Sequence, residues 1–526
     1  MRSLRPSHAH SAFSATVVLM TSTLLSSLFG MVRNMYIAWK FGRGLEADAF
    51  LAAFQLPDMI AYFLVGGAAS ITFVTILTRY RDTGREEEGH RSLSVILTTM
   101  YLVLGGAIVV AEFLAPLYVR LCFKGFDATK AALCVHLTRI LLPAQLCFFA
   151  GGVFGSVLLV RKQFNVQAVA PLIYNLGTIV GGVLLGRRYG VSSLAFGTVA
   201  GAFFGPFLLN AVFARRAGAH YRVILDWQDK GLREWVRLSL PLMAGVSLVT
   251  ADIWIINYFA SSTSGAISLI TYAKRLFVAP MAVLAQAAGA ASMPFFASLW
   301  AQTKRNEFAT SVADSVSRVV CLGLLAASGM AALGVPLVSV LFVGGRFSYA
   351  DARTCAAYFA VFSISLFLWS AQSIYSRAFY AAGNTFVPMA AGTVVTALSL
   401  PIYAAFYHWY GGIGLAFASD IGIAMQTLAI AGLLHQRHMV SLASLDFREM
   451  GRCIGASTLA GAVTWGAFSW LAGLAAVSMH LPTHSRWYQL MMLSVGGLVW
   501  GGISLWVLRW TGSALPRVLM KRLRLA

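Results

Sequence analysis

Seven ionisable residues interrupt apolar stretches of this chain: Arg33, Asp48, Asp58, Asp252, Lys274, Arg275 and Asp420. A charge at bilayer depth costs about 2.5–3.5 kcal/mol on insertion scales, so it is kept where it meets a partner or a polar cavity. Arg33 lies in SSLFGMVRNMYIAW, where the apolar run resumes after it. A guanidinium there stays charged when partly dehydrated and grips a phosphate through two parallel hydrogen bonds, so Arg33 reads as an anion-binding group. Lys274 and Arg275 are adjacent in SLITYAKRLFVAPMAVL. Helical neighbours diverge by about 100°, so one suffices for the same task. Arg275 is the better choice, and Lys274 either joins it or snorkels to the outer interface.

The carboxylates have two readings each. Asp48 opens an apolar segment, where it either favours a helix N-terminus or pairs with Arg33 or Arg275 until an anionic ligand displaces it. Asp58, just after Pro57, lies deeper and joins the same binding set. Asp252 and Asp420 are either ligands of a coupling cation or members of structural ion pairs. Glu112 and Arg139 read as local partners near a membrane face, and Glu46 as a turn residue.

No catalytic constellation accompanies these charges. The chain has no G-x-x-x-x-G-K-[ST] loop, no G-x-S-x-G and no H-E-x-x-H. Its six cysteines, Cys122, Cys134, Cys147, Cys321, Cys355 and Cys453, show no C-x-x-C and no ligand spacing, so neither metal nor disulfide is expected. No cofactor is implied. Work done by such a chain rests on the membrane potential, a monovalent cation or consumption of the product.

The elements that position these residues are membrane helices. Of 526 residues, 58% are hydrophobic and 11% charged, against roughly 25% charged in soluble domains; mean hydropathy is +0.73. The formal charge of +21 is carried largely by short connections between apolar runs. That is the positive-inside pattern, and it calls for no nucleic acid. With about 20 residues per span, fourteen segments emerge, near 13–39, 46–78, 93–119, 131–160, 165–186, 193–213, 236–260, 266–300, 312–343, 353–376, 385–407, 412–435, 453–476 and 488–508. Lys/Arg asymmetry puts both termini in the cytoplasm. Arg2 and Arg5 before the first run resemble a signal peptide, but a retained first helix is expected. The tail 517–524, RVLMKRLR, reads as a headgroup anchor.

An internal repeat organises the spans. Ala53–Leu56 corresponds to Ala273–Leu276 at an offset of 220, and Pro171 to Pro388 at 217. Two six-span lobes are expected, 1–234 (spans one to six) and 235–450 (spans seven to twelve), followed by a helix pair and basic tail at 451–526. Pro57, Gly66 and Gly67 interrupt span two, and Pro280, Gly289 and Pro294 interrupt span eight. Broken helices of this kind line cavities or pack within protein.

The run SSLFGMVRNMYIAWKFGRGLEADAFLAAFQLPDM resembles the signature of the MurJ/MviN family of lipid II flippases, within the oligosaccharidyl-lipid and multidrug exporter superfamily. The likeness continues through ITFVTIL (71–77), APLIYNLGTIVGG (170–182), TYAKRLFVAP (271–280) and GGRFSYADA (344–352). It implies an all-α, fourteen-helix protein of the bacterial inner membrane with two lobes around a cationic cavity. The terminal helix pair would hold a polyprenyl tail. Alternating access would carry a pyrophosphate-linked disaccharide-peptide, an anionic lipid-linked glycan, to the periplasm. Arg33, Asp48 and Arg275 match family positions. The partners implied are that substrate, membrane lipids and the cell-wall synthesis machinery.

Four positions depart from the family pattern. Ser27 and Ala61 stand where arginines are usual, and Gly66 and Lys274 where acidic residues are usual. A flippase for another lipid-linked oligosaccharide is therefore the alternative reading. A cation-coupled multidrug exporter, which wants an acidic cavity, and a non-transporting scaffold of wall synthesis come behind it.

Overall fold

The computed structural model describes residues 12–65, 69–161, 163–244, 248–478 and 485–516. Arg2, Arg5, Gly66, Gly67 and the basic tail lie outside them. The described residues are helical, with no strand beyond one isolated bridge between Gly344 and Phe347. In hydrocarbon, backbone N–H and C=O groups find no water, and the helix satisfies them within one segment.

The chain divides into two compact units, Met1–Gly245 and Val246–Ala526. The first holds α1 (Ala12–Phe41), α2 (Leu45–Ala53), α3 (Gln55–Val65), α4 (Ala69–Asp82), α5 (Glu86–Cys122), α6 (Ala128–Leu141), α7 (Ala144–Val160) and α8 (Phe164–Tyr189). It continues with α9 (Ser192–Ala202), a π turn over Phe203–Leu209, α10 (Asn210–Arg216) and α11 (Lys230–Ala244). The division falls after α11 rather than at 234/235. The reason is packing: Trp235 is fully buried against Phe73, ring centroids 5.6 Å apart, and Arg79 donates to Glu234 Oε1 at 2.7 Å. That hydrogen bond holds the Glu234 carboxyl below its ordinary range. The tie is therefore present above about pH 4.5 and lost as pH falls through the lowered value.

The second unit holds α12 (Leu248–Ala260), α13 (Ala266–Met281), a π turn over Ala282–Ala287, α14 (Ala288–Ala301), α15 (Arg305–Ala332), α16 (Gly334–Phe342), α17 (Tyr349–Ile364) and α18 (Leu366–Ala381). The 51-residue α19 (Phe386–Gln436) follows, then α20 (Phe447–Ser478) and α21 (Arg486–Trp510). The last two helices pack within this unit. Cys453 of α20 and Cys321 of α15 share a small buried cluster with Val507 and Leu508 of α21, and Trp500 Nε1 donates to Ser328 Oγ at 3.0 Å.

The described residues of the fourteen expected segments are largely helical, without reproducing a count of fourteen spans. By length and apolarity nine helices qualify among the described residues, or ten when Tyr349–Ile364 and Leu366–Ala381, bent by 41°, count as one. Spans eleven and twelve run together as α19, interrupted only at Gly411, whose φ of 59° and ψ of −139° are non-helical. Span two has a turn at Phe54, between α2 and α3, with helical backbone angles, so Leu45–Leu64 counts as one span, and span eight continues past Pro280 into a π turn.

Backbone punctuation exposes the repeat more clearly than the motifs do. Gly44 and Gly265, with φ of 120° and 79°, precede α2 and α13. Asp127 caps α6 by accepting from Lys130 N, and Ser348 caps α17 through a capping box with Asp351. Gly190, ending α8, has φ 54° and ψ −133°, close to Gly411. Each of these pairs is separated by 221 residues. The proline offset of 217 is not part of this register: Pro171 lies well inside α8, whereas Pro388 sits in the first turn of α19.

Glycines set the closest helix contact in the first unit. α8 and α9 meet through Gly177 and Gly181 on one side and Gly197 and Gly201 on the other, a small-xxx-small pair on each helix. A Cβ on Gly181 would lie 2.4 Å from Gly197 Cα. Gly181→Val is therefore expected to lower stability by about 1–3 kcal/mol through overpacking, whereas Gly105→Ala, with nothing within 4 Å of its Cβ, leaves it unchanged or raised. Melting temperatures of the detergent-solubilised proteins check this.

Candidate functional site

Arg33 sits two-thirds of the way along α1, and its neighbours decide what it can do. The residue is 9% exposed, and its Nε has no hydrogen-bond partner. Its guanidinium stands 5.9 Å from the Tyr174 ring of α8, and it makes no ion pair among the described residues. Asn34, fully buried, leaves both side-chain Nδ2 and Oδ1 without partners. Asn175, one residue after Tyr174, donates to Pro171 O at 3.1 Å and presents Oδ1 to Gly30. A buried polar group without a partner costs about 1–3 kcal/mol. Three such atoms on one helix turn therefore mark a place equipped for a polar, anionic ligand.

Asp48 is not held by Arg33. Its Oδ2 accepts from Lys130 Nζ at 2.6 Å, and both side chains are almost completely buried. Lys130 also stands 4.6 Å from the Phe126 ring. The pair joins the start of α2 to the first turn of α6. Asp58, in the first turn of α3, is exposed.

In the second unit, Lys274 and Arg275 diverge as helix geometry requires. Arg275 is exposed on α13. Lys274 turns into the unit, where its ammonium donates to Asp252 Oδ2 of α12 and stands 5.1 Å from the Phe362 ring of α17. Asp252 Oδ1 accepts from the hydroxyl of buried Tyr403 on α19. Asp420, also on α19, acts on the same ammonium and has a buried Oδ1 without a hydrogen-bond partner. Asp252, Lys274 and Asp420 therefore form one cluster, whereas Arg139 pairs locally with Glu112 at 3.7 Å.

Three residues escaped the reading of the sequence. Lys130 stands just before the expected fourth span, where it looks like a loop cation; its one visible signal is its place three residues after a capping Asp127. Arg377 falls just past the expected tenth span. Helix α18 carries it onward, and it packs so closely on Gly289 that a Cβ there would lie 2.2 Å from Arg377 Nε. Tyr403 carries no signal at all, since a tyrosine in an apolar run is unremarked. Among the described residues no group of three or more metal-ligating side chains occurs, and all six cysteines are free thiols.

Two all-helical units with apolar spans, paired buried charges and an uncommitted buried guanidinium define a multi-pass membrane transporter. The chain belongs to the MurJ family: the family model described as lipid II flippase MurJ matches residues 37–485. Similar proteins include the probable lipid II flippase MurJ of Vibrio cholerae serotype O1, 25% identical over 467 residues, covering 86% of this chain and 88% of that one. The lipid II flippase MurJ of Burkholderia cenocepacia is 27% identical over 479 residues, with 87% and 91% covered. Among solved structures, a lipid II flippase MurJ in an inward closed conformation superposes with a TM-score of 0.75 at 20% identity, covering 94% of this chain and 99% of that one. An inward-facing multidrug resistance MATE family transporter of the MOP superfamily gives 0.64 at 15% identity over 81% of this chain and 98% of that one, a likeness of fold.

The Asp48–Lys130 pair yields a direct test. Lys130→Met leaves Asp48 a buried charge without its ammonium and is expected to cost about 3–5 kcal/mol, while Asp48→Asn with Lys130→Met recovers most of it. Thermal melts of the single and double variants read the difference.

Proposed function

We propose that this chain moves lipid II, the polyprenyl-pyrophosphate-linked peptidoglycan precursor, from the cytoplasmic to the periplasmic leaflet of the bacterial inner membrane by alternating access, with both termini in the cytoplasm. The observation that carries this reading is Arg33: a buried guanidinium on a helix of a MurJ-family chain, with no carboxylate partner among the described residues. A pyrophosphate brings the missing negative charge and accepts bidentately from it. Arg275, exposed on α13, offers the second unit's own cationic contact to an anionic headgroup. Asp48, tied to Lys130, acts by holding α2 on α6 and so shaping the approach to Arg33 rather than by exchanging with substrate. Asp58, exposed at the start of α3, contacts the headgroup outside the phosphate subsite.

No cofactor takes part. The membrane potential resets the cycle: one charge moved through 100 mV is worth about 2.3 kcal/mol. The machinery of wall synthesis, which consumes the product, is the partner on the periplasmic side. A second reading, favoured by Ser27, Ala61 and Lys274, is a flippase for another lipid-linked oligosaccharide.

Two experiments bear on this. In a strain where this chain is the sole flippase, Arg33→Ala with Arg275→Ala is expected to abolish growth support while the protein still reaches the membrane; full complementation refutes the role given to these arginines. Depletion followed by analysis of polyprenyl-linked intermediates is expected to show lipid II accumulating, and accumulation of a different glycan-lipid selects the second reading.

A further inference from the structure

We propose that the ammonium of Lys274 is a built-in counter-cation for the carboxylate cluster of the second unit, so that this cluster takes no added sodium or other monovalent cation. The inference deepens the transport reading, since it bears on what resets the cycle.

A monovalent cation is held by oxygen lone pairs turned towards it. Asp252 is the carboxylate around which such a site would be built, and both of its oxygens are engaged: Oδ2 accepts from Lys274 Nζ and Oδ1 from the Tyr403 hydroxyl. Each of these contacts turns the positive end of an N–H or O–H bond towards the carboxylate. An ion brought to Asp252 would compete with both donors and would stand beside a fixed ammonium, whose repulsion is strong in a poorly polarisable interior. Asp420 acts on the same ammonium and keeps one buried oxygen, Oδ1, without a hydrogen-bond partner, so an ion brought to that oxygen would still stand in the field of the Lys274 charge. The Phe362 ring, 5.1 Å from Nζ, closes another side with an aromatic face rather than an oxygen.

The arrangement does what a bound ion would do for the architecture. Asp252 on α12, Phe362 on α17 and Asp420 on α19 act on the Lys274 nitrogen of α13, and Tyr403 of α19 holds the other oxygen of Asp252. The difference is that the cation is covalently part of α13. It cannot dissociate, so its presence cannot alternate within a cycle, and it fixes the rotation of α13 one residue before Arg275.

The test compares the full-length protein in NaCl and in choline chloride at equal ionic strength. Wild type is expected to melt at the same temperature in both salts, and its flipping of lipid II in proteoliposomes is expected to be unchanged by the substitution of choline for sodium. Lys274→Ala vacates the ammonium's place and is expected to melt lower in choline and to recover, in a concentration-dependent way, in NaCl. A wild-type melting temperature that rises with sodium overturns the proposal, as does a Lys274→Ala protein that matches wild type in both salts. Should Lys274→Ala fail to fold in either salt, the wild-type salt comparison decides alone. The melting readout needs no substrate: if wild type moves no lipid II in either salt, the transport reading fails, and the salt response still settles whether the cluster takes sodium.

Discussion

A full charge placed among apolar helices has to meet its countercharge inside the protein, because no water is there to take that role. This requirement arranges both units. In the first, Asp48 and Lys130 are drawn together although they stand 82 residues apart, and the contact seats α2 on α6. In the second, Lys274 draws Asp252 and reaches the field of Asp420, gathering α12, α13 and α19. Such pairs need not raise net stability over apolar residues of the same size, since desolvation offsets much of the attraction. What they supply is registry: with one partner misplaced, the other is a buried ion alone. The helices therefore have few arrangements open to them, and among the described residues Arg33 is a buried cation that this pairing leaves over.

Close approach is the second condition. Glycines at Gly177, Gly181, Gly197 and Gly201 let α8 and α9 touch backbone to backbone, which holds firm the helix that carries Tyr174 and Asn175 opposite Arg33. Where a helix changes direction instead, the device is a positive-φ glycine or a π turn. Gly190 and Gly411 adopt nearly the same backbone angles 221 residues apart, and each lies where one apolar stretch hands over to the next. The recurrence of a strained backbone conformation at one separation is harder to obtain by chance than a shared tripeptide.

Much of this was legible in the sequence, and the reasons for the remainder are physical. Long apolar runs without charge announce helices, and the described residues of the fourteen segments are largely helical. Their number as spans was less legible, because hydropathy does not register the kink at Gly411 or the 41° bend between α17 and α18. Which charges lie at membrane depth was readable; which partner each takes was not. Adjacent residues on a helix point about 100° apart, so either Lys274 or Arg275 could have turned inward. The choice is made by Asp252, 22 residues earlier. Lys130 and Arg377 were invisible for a related reason: each sits at the edge of an apolar run, where a cation looks like a loop residue until the helix is seen to continue through it.

The departures from the family pattern are better understood as one rearrangement than as independent losses. Lys274 stands where an acidic residue is usual, and a lysine at that point would be expensive if its surroundings were otherwise unchanged. Its surroundings absorb it: Asp252 takes the ammonium, Tyr403 takes the other oxygen, and Asp420 lies within reach of the charge. The added positive charge is thus neutralised within the second unit and is not available to a ligand. It follows that Lys274 makes no compensation for the arginines absent at Ser27 and Ala61. Within the first unit, among the described residues, Arg33 is then a buried cation with no countercharge. A guanidinium can hold a phosphate in one orientation through two parallel hydrogen bonds. Asn34, the next residue on α1, is fully buried with both ends of its amide without hydrogen-bond partners, so this turn of α1 holds unmet polar groups beside a cation.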